Sequence, residues 1–196
     1  METISRTFNI LYEFKYKYLN HDIKTSIAGD RYIEIYDVHF IADNSEIAPG
    51  VEHEGDNTQY NESWYKKWYD PIVFSEQYYM TSQFDKCFDA LMIDRNTRHA
   101  YISMMDWHNV HNEADIMICT IGMQWIVNDK NQLDYYVYMR ANDVIEYRND
   151  YHWQRSLYDK MLKRLIDNGV SIDEGNIYWN ATSMQLQEKY FEHFKG

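Results

Sequence analysis

Apolar residues recur along this chain with two periods, and each period predicts a kind of element. In SQFDKCFDALMI, Ser82 to Ile93, the residues Phe84, Cys87, Phe88, Leu91 and Met92 fall on one helical face. In HWQRSLYDKMLKRLIDNG, His152 to Gly169, the residues Trp153, Leu157, Met161 and Leu165 return every fourth position, and Gly169 suits the cap beyond the last turn. Elsewhere the pattern is strand-like. RYIEIYDVHFIA, Arg31 to Ala42, alternates after a turn at Gly29-Asp30. The runs IMICTIGMQWIV and LDYYVYMRA are joined by NDKNQ, Asn128 to Gln132, which predicts a hairpin. HAYISMM and GNIYWNATSMQL read as further strands, and EKYFEHF as a short helix. FNILYEFKYKYL, Phe8 to Leu19, fits a helix or a strand. The polar run from Asp43 to Ser63, with Pro49, Gly50 and Gly55, predicts the longest loop, and DWHNVHNE, from Asp106, a second. Strands dominate, so the class is α/β (α+β), with one domain over residues 1–196.

Composition narrows the functions. A net charge of −12 leaves no basic footprint for direct nucleic-acid binding, although a mononucleotide needs only a local cluster of arginines. No run approaches the roughly 18 apolar residues of a membrane span. The first residues, METISRTFNILYEF, have no charged-then-apolar leader pattern. The expectation is a cytoplasmic protein with no membrane partner. The two cysteines, Cys87 and Cys119, read as free thiols rather than a disulfide in that setting.

Candidate chemistry centres on Cys119. One reading is a small buried hydrophobe on a strand. The other is a nucleophile, whose thiolate would need nearby positive charge. If the two strands pair across NDKNQ, Cys119 and Arg140 meet at the same end of the hairpin. Arg98, between a helix and a strand, is either a solvated arginine or an anion contact. His108 and His111 lack further ligands at suitable spacing, so no metal site is expected. No GxGxxG, GxxxxGK[ST] or GxSxG occurs.

In this order the motifs resemble the thymidylate synthase superfamily, and most closely its phage pyrimidine-nucleotide (dCMP/dUMP) hydroxymethylases. ICTIGMQW keeps the family's Cys, Thr and Gln as Cys119, Thr120 and Gln124. MRANDV is similar to its Arg-Ser-Asn-Asp, with Arg140, Asn142 and Asp143. RNDYHW matches the helix start whose Asn or Asp reads the base, with Asp150 in that place, or Tyr151 at the family's strict spacing. Thr97-Arg98-His99 and SMQLQEKYF, Ser183 to Phe191, match weaker motifs upstream and downstream.

The resemblance implies a thymidylate synthase-like fold, a large mixed β-sheet flanked by helices. It also implies one-carbon transfer to C5 of a pyrimidine nucleoside monophosphate from 5,10-methylenetetrahydrofolate. In that scheme a thiolate adds to C6 and makes C5 nucleophilic. Cys119 would be the nucleophile, Asp143 would bind folate or ordered water, and Glu62 in NESW is the candidate for the catalytic glutamate. Arg140 would hold the phosphate. Arg98 would reach it from the partner subunit of a homodimer with shared sites. Asp150 would pair with the base, unless it is only a helix cap. Gln124, Asn149, Gln185 and Gln187 complete the implied substrate contacts. The chain departs from the family at Ala141 (for a phosphate-binding Ser), His99 (for an arginine), Ile27 (for a loop arginine, with Arg31 close by) and Gln185-x-Gln187 (for His-x-Tyr). An alternative is a family-fold protein that has lost catalysis and serves as a nucleotide-binding or partner subunit.

Overall fold

A computed structural model describes residues 7–43, 62–76, 81–105 and 118–194. The elements run α1 (Thr7–Leu19), β1 (Lys24–Thr25), β2 (Arg31–Ala42), α2 (Glu62–Trp68), α3 (Asp70–Phe74), α4 (Gln83–Ile93) and β3 (Tyr101–Ser103). They continue with β4 (Thr120–Val127), β5 (Gln132–Met139), β6 (Asn142–Asp143), α5 (Tyr147–Asp167), β7 (Asp173–Gln187) and a 3₁₀ turn (Glu188–Phe194). The strands form one mixed sheet in the order β1-β2-β7-β5-β4-β3, with β6 beside β7. The β5–β7 and β6–β7 pairs are parallel and the others antiparallel. The mixed α/β class and the helix-flanked sheet agree with the sequence reading.

The predicted hairpin forms, with Val127 opposite Leu133 and Thr120 opposite Met139. The open stretch 8–19 is a helix, because Ile10 and Phe14, four apart, are fully buried. Helix α4 matches its prediction, and Ser82 caps it by accepting from the Asp85 amide. One expected boundary is corrected and two short helices are added. Helix α5 begins at Tyr147, five residues before His152, where the apolar pattern placed its start. The polar residues interspersed from Glu62 to Phe74 mask α2 and α3, which bury Tyr65 and Val73, with Tyr69 buried between them. Those rings lock the region down: Trp153 of α5 stacks on Tyr65 at 5.6 Å and meets Tyr69 edge-on at 4.8 Å. Each such ring buries about 150–250 Å², worth several kcal/mol at roughly 25 cal/mol/Å². The loop residues 44–61, and the histidines His108 and His111, lie outside the described residues.

Strand β2 changes phase halfway. Ile33 and Ile35 are buried, then Val38, Phe40 and Ala42. The extra step falls at Asp37, which takes φ 54°, a left-handed conformation that Asp tolerates better than most residues. Its neighbour β7 shifts in step, from Ile177, Trp179 and Ala181 to Met184 and Leu186. Without the shift, half of each strand would turn its apolar set to the wrong face.

The face opposite the helices carries half-buried Tyr136, Tyr138, Tyr178, Asn180 and His39. Tyr136 and Tyr178 stack there at 4.7 Å. His39 meets an acceptor at each ring nitrogen, Asn180 Oδ1 at 2.8 Å and Asp37 Oδ1 at 2.6 Å. Two acceptors favour the imidazolium, and the hydrogen bond to Asn180 raises its pKa, with Asp37 adding to it against burial.

Candidate active site

Cys119 stands just ahead of β4 and Arg140 just after β5. The pairing of those strands makes them neighbours: the Arg140 amide donates to the Cys119 carbonyl at 2.9 Å. Arg140 Nε donates to the Ile118 carbonyl at 3.3 Å, which turns its side chain back toward the residue just before Cys119. The thiol is half-buried. Burial raises its pKa most; the Asp150 carboxylate and then Asp143 raise it further, and Arg140 lowers it. At rest the group is a thiol whose ionisation depends on the charges around it.

Asp150 lies on the fourth residue of α5, inside the protein, with 8% of its surface exposed. Its Oδ1 accepts from the Tyr65 hydroxyl at 2.8 Å and its Oδ2 from Asn142 Nδ2 at 2.7 Å. It is therefore not the helix cap; the residue before the helix is Glu146, which makes no side-chain cap. Burial pushes the Asp150 carboxyl up to about 7, with Glu146 and Asp143 adding to the rise and the Tyr65 and Asn142 hydrogen bonds opposing it.

Below these groups runs a buried polar chain. Tyr135 donates to Gln154 Oε1 at 2.6 Å, and Gln154 Nε2 donates to Thr120 Oγ1 at 3.3 Å. The Tyr69 hydroxyl interacts with Thr120 and with the Cys119 backbone. Satisfied networks of this kind fix one arrangement of the core. Asp143, half-buried, accepts from the Ile145 amide at 2.8 Å and from Gln187 Nε2 at 3.2 Å. Burial raises its pKa, and those hydrogen bonds offset part of the rise.

The same sheet has known counterparts. The chain aligns with thermostable thymidylate synthase A from Bacillus subtilis at a TM-score of 0.61, over 96% of this chain and 82% of that one, with 12% sequence identity. The fold is thymidylate synthase-like. Sequence similarity points the same way: this chain is 32% identical over 127 residues to the deoxycytidylate 5-hydroxymethyltransferases of Enterobacteria phages T4 and T2. That match covers 61% of this chain and 50% of each relative, so the chain spans about half the length of the curated relatives it matches. No family profile matches the chain.

Within this thymidylate synthase-like fold, Cys119, Arg140, Asp143 and Asp150 come together. Gln187 joins them through Asp143. Asn149 is buried one residue from Asp150 and donates to Glu146 Oε2 at 3.1 Å. Gln185 sits beside Asp143 in the β6–β7 register but donates to Glu34 Oε1 at 3.0 Å. Burial pushes the Glu34 carboxyl up, yet hydrogen bonds from Tyr36, Gln185, Lys24 and Ser183 outweigh it and hold the group at about 2.

Three expected residues lie elsewhere. Gln124, five residues along β4 from Cys119 and so about 16 Å away at ~3.3 Å per residue, donates instead to the Arg98 carbonyl at 3.0 Å. Arg98 is exposed at the β3 end of the sheet. Glu62 is exposed on α2 and pairs with Lys66 at 2.7 Å, so it contributes nothing to the group around Cys119. The residue of NESWY that does reach the group is Tyr65, three positions on, which sequence reasoning missed. Its signal was the i+4 recurrence Tyr65 and Tyr69. Cys87 is core, and burial pushes its thiol up to about 12. Among the described residues no three His, Cys, Asp or Glu side chains gather as a metal site, and no helix is long and apolar enough to cross a membrane.

Proposed function

We propose that the chain is a pyrimidine nucleotide C5-hydroxymethyltransferase acting on dCMP, with 5,10-methylenetetrahydrofolate as the one-carbon donor. The carrying observation is the pairing of Cys119 with Arg140 at one end of the β4–β5 hairpin, beside two half-buried or buried carboxyls. The deoxycytidylate specificity in the names of the phage relatives supports the choice of base.

In this reading Arg140 binds the 5′-phosphate and eases ionisation of Cys119. The Cys119 thiolate adds to C6 of the pyrimidine, C5 so activated bonds to the one-carbon unit and loses its proton, water supplies the hydroxyl, and expulsion of the thiolate restores the ring. Asp150 accepts a hydrogen bond from the exocyclic amine of cytosine. The folate supplies a carbon at the oxidation level of formaldehyde. Asp143 fits such a group: each of its oxygens accepts one hydrogen bond, and a carboxylate has about four lone-pair sites, which leaves room for the N–H edge of a pterin. Gln187 holds Asp143 for that contact.

The test is intact mass after incubation with 5-fluoro-dCMP or 5-fluoro-dUMP plus methylenetetrahydrofolate. A ternary adduct on Cys119 with the cytosine analogue is the expected result. A second reading, a nucleotide-binding protein without catalysis, is favoured by the raised thiol pKa and by the engagement of Gln185 with Glu34. It would give a nucleotide-dependent rise in melting temperature and no adduct.

The proposal includes a homodimer. The sheet face bearing Tyr136, Tyr138, Tyr178 and His39 suits an isologous contact, in which the same patch serves both copies. Arg98, at the edge of that sheet, would then serve the partner's site. Light scattering at micromolar concentration should give twice the 23.9 kDa chain mass. A monomer would remove the shared-site role of Arg98.

A further inference from the structure

We propose that Tyr65 and Asn142 are positioning residues for base recognition, which hold the Asp150 carboxyl in one orientation as a hydrogen-bond acceptor for the pyrimidine. The inference rests on the reading of Asp150 as the base contact and adds to it how that contact is made selective.

The clamp has two jaws from different elements. Tyr65 of α2 donates to one carboxyl oxygen at 2.8 Å, and Asn142 of β6 donates to the other at 2.7 Å. Neither jaw is free to drift. Tyr65 is 4% exposed, stacked on Trp153 and packed 5.0 Å from Tyr69. Trp153 is itself anchored, its indole N–H donating to Asp70 Oδ1 at 3.0 Å. Asn142 is 2% exposed and fixed in the β6–β7 pairing.

The chemistry of the jaws matters as much as their placement. Both present donors to Asp150, and donors favour its ionised form. The opposite amide atom, Asn142 Oδ1, is buried with no hydrogen-bond partner among the described residues. The ionised Asp150 carboxyl, with a donor held on each oxygen and no proton of its own, presents a patch that accepts and cannot donate. Such a patch suits the amino group at C4 of cytosine and repels the carbonyl at C4 of uracil.

Protonation of Asp150 would undo this, because a neutral acid can donate to a carbonyl. The titratable groups that face Asp150 are Tyr65 of α2, Tyr69 after it, Glu146 and Asp143 on the segment around β6 and α5, and Cys119 ahead of β4. Burial drives both tyrosines far above neutrality, so they remain donors. Burial, Glu146 and Asp143 push Asp150 toward its neutral form, to about 7, and the two jaws oppose them. Removal of the Tyr65 hydroxyl should therefore raise the pKa of Asp150 further.

The experiment uses the full chain with Tyr65→Phe, which keeps the stacked ring, and Asn142→Ser as the second variant. In the wild type, kcat/KM for dCMP should rise with pH along an acid limb set by Asp150. In each variant the limb should move up by about one pH unit, and at pH 7 the dCMP-over-dUMP preference should fall about tenfold. A carboxyl-carbon NMR titration of Asp150 in the nucleotide-free protein should show the same upward shift. Loss by one constant factor at every pH, with the limb and the carboxyl titration unmoved, overturns the proposal and leaves Tyr65 as packing alone. If no fluoronucleotide adduct forms in the wild type, the proposed activity fails. The carboxyl titration still decides whether the clamp exists.

Discussion

Cys119→Ser should abolish the fluoronucleotide adduct and lower kcat/KM by roughly four or more orders of magnitude, as loss of a covalent nucleophile does elsewhere. The melting temperature should hardly move, because the thiol is only half-buried and its oxygen replacement is nearly isosteric. Cys87→Ala should give the opposite pattern. Its side chain is 1% exposed within the core, so truncation costs about 1–2 kcal/mol of stability while kcat/KM stays within about twofold. The surrounding charges make a second, activity-free readout. Asp150 raises the Cys119 pKa and Arg140 lowers it, so Asp150→Asn should speed alkylation of Cys119 by iodoacetamide at pH 7.5, and Arg140→Met should slow it. Equal loss of activity from the Cys119 and Cys87 variants would show that both cysteines act only through the fold.

Asp150→Asn should change two quantities in a coupled way. Base preference should move toward dUMP by about 10- to 100-fold, since an amide can donate to O4 and each buried polar mismatch costs roughly 1–3 kcal/mol. Stability should change with pH. The folded-state pKa of Asp150, about 7, lies above the ordinary 3.8, so the folded protein binds this proton more tightly than the unfolded chain does. The stabilisation is fully present below about pH 4 and is lost as pH rises to about 7. Asparagine does not titrate, so the variant should gain relative to wild type across that window, on the order of 2–4 kcal/mol by pH 8. Urea denaturation at pH 4.5 and pH 8, with kcat/KM for both nucleotides, checks both parts. A stability difference that is flat with pH would mean that Asp150 is ionised in the fold throughout. An unchanged dCMP-to-dUMP ratio would move base reading to Asn149 or another group.

Much of this was written in local pattern. The 31–42 strand, the Ser82-capped helix and the hairpin around Asn128–Gln132 are set by side-chain periodicity and turn chemistry within about a dozen residues. The hairpin alone puts Cys119 against Arg140, because pairing across a short turn fixes which residues face each other. Asp143 follows closely after Arg140 and is carried to the same place by the chain.

The remainder needed tertiary contacts. Glu62 was the natural candidate in its segment because a carboxylate is chemically conspicuous, yet α2 turns it to solvent and presents Tyr65 inward. Which face of a seven-residue helix is buried depends on Trp153, some 90 residues later, and not on the helix's own sequence. Asp150 showed the same limit. In sequence an Asp near a helix start reads as a cap; in space the helix begins earlier, and the carboxyl is taken by Tyr65 and Asn142. Its charge state is likewise a property of the enclosure, since burial is the largest contribution to it. Gln124 and Gln185 kept the spacing of their motif, but the register of β3–β4 and β2–β7 gave their amides to Arg98 and Glu34. Local pattern was enough for most of the strands, for the two regular helices α4 and α5 and for the Cys119–Arg140 encounter, because these depend on neighbours within reach along the chain. The tertiary structure alone decided which polar groups share the buried space with them, because hydrogen-bond partners and desolvation are set by whatever the fold brings from far away.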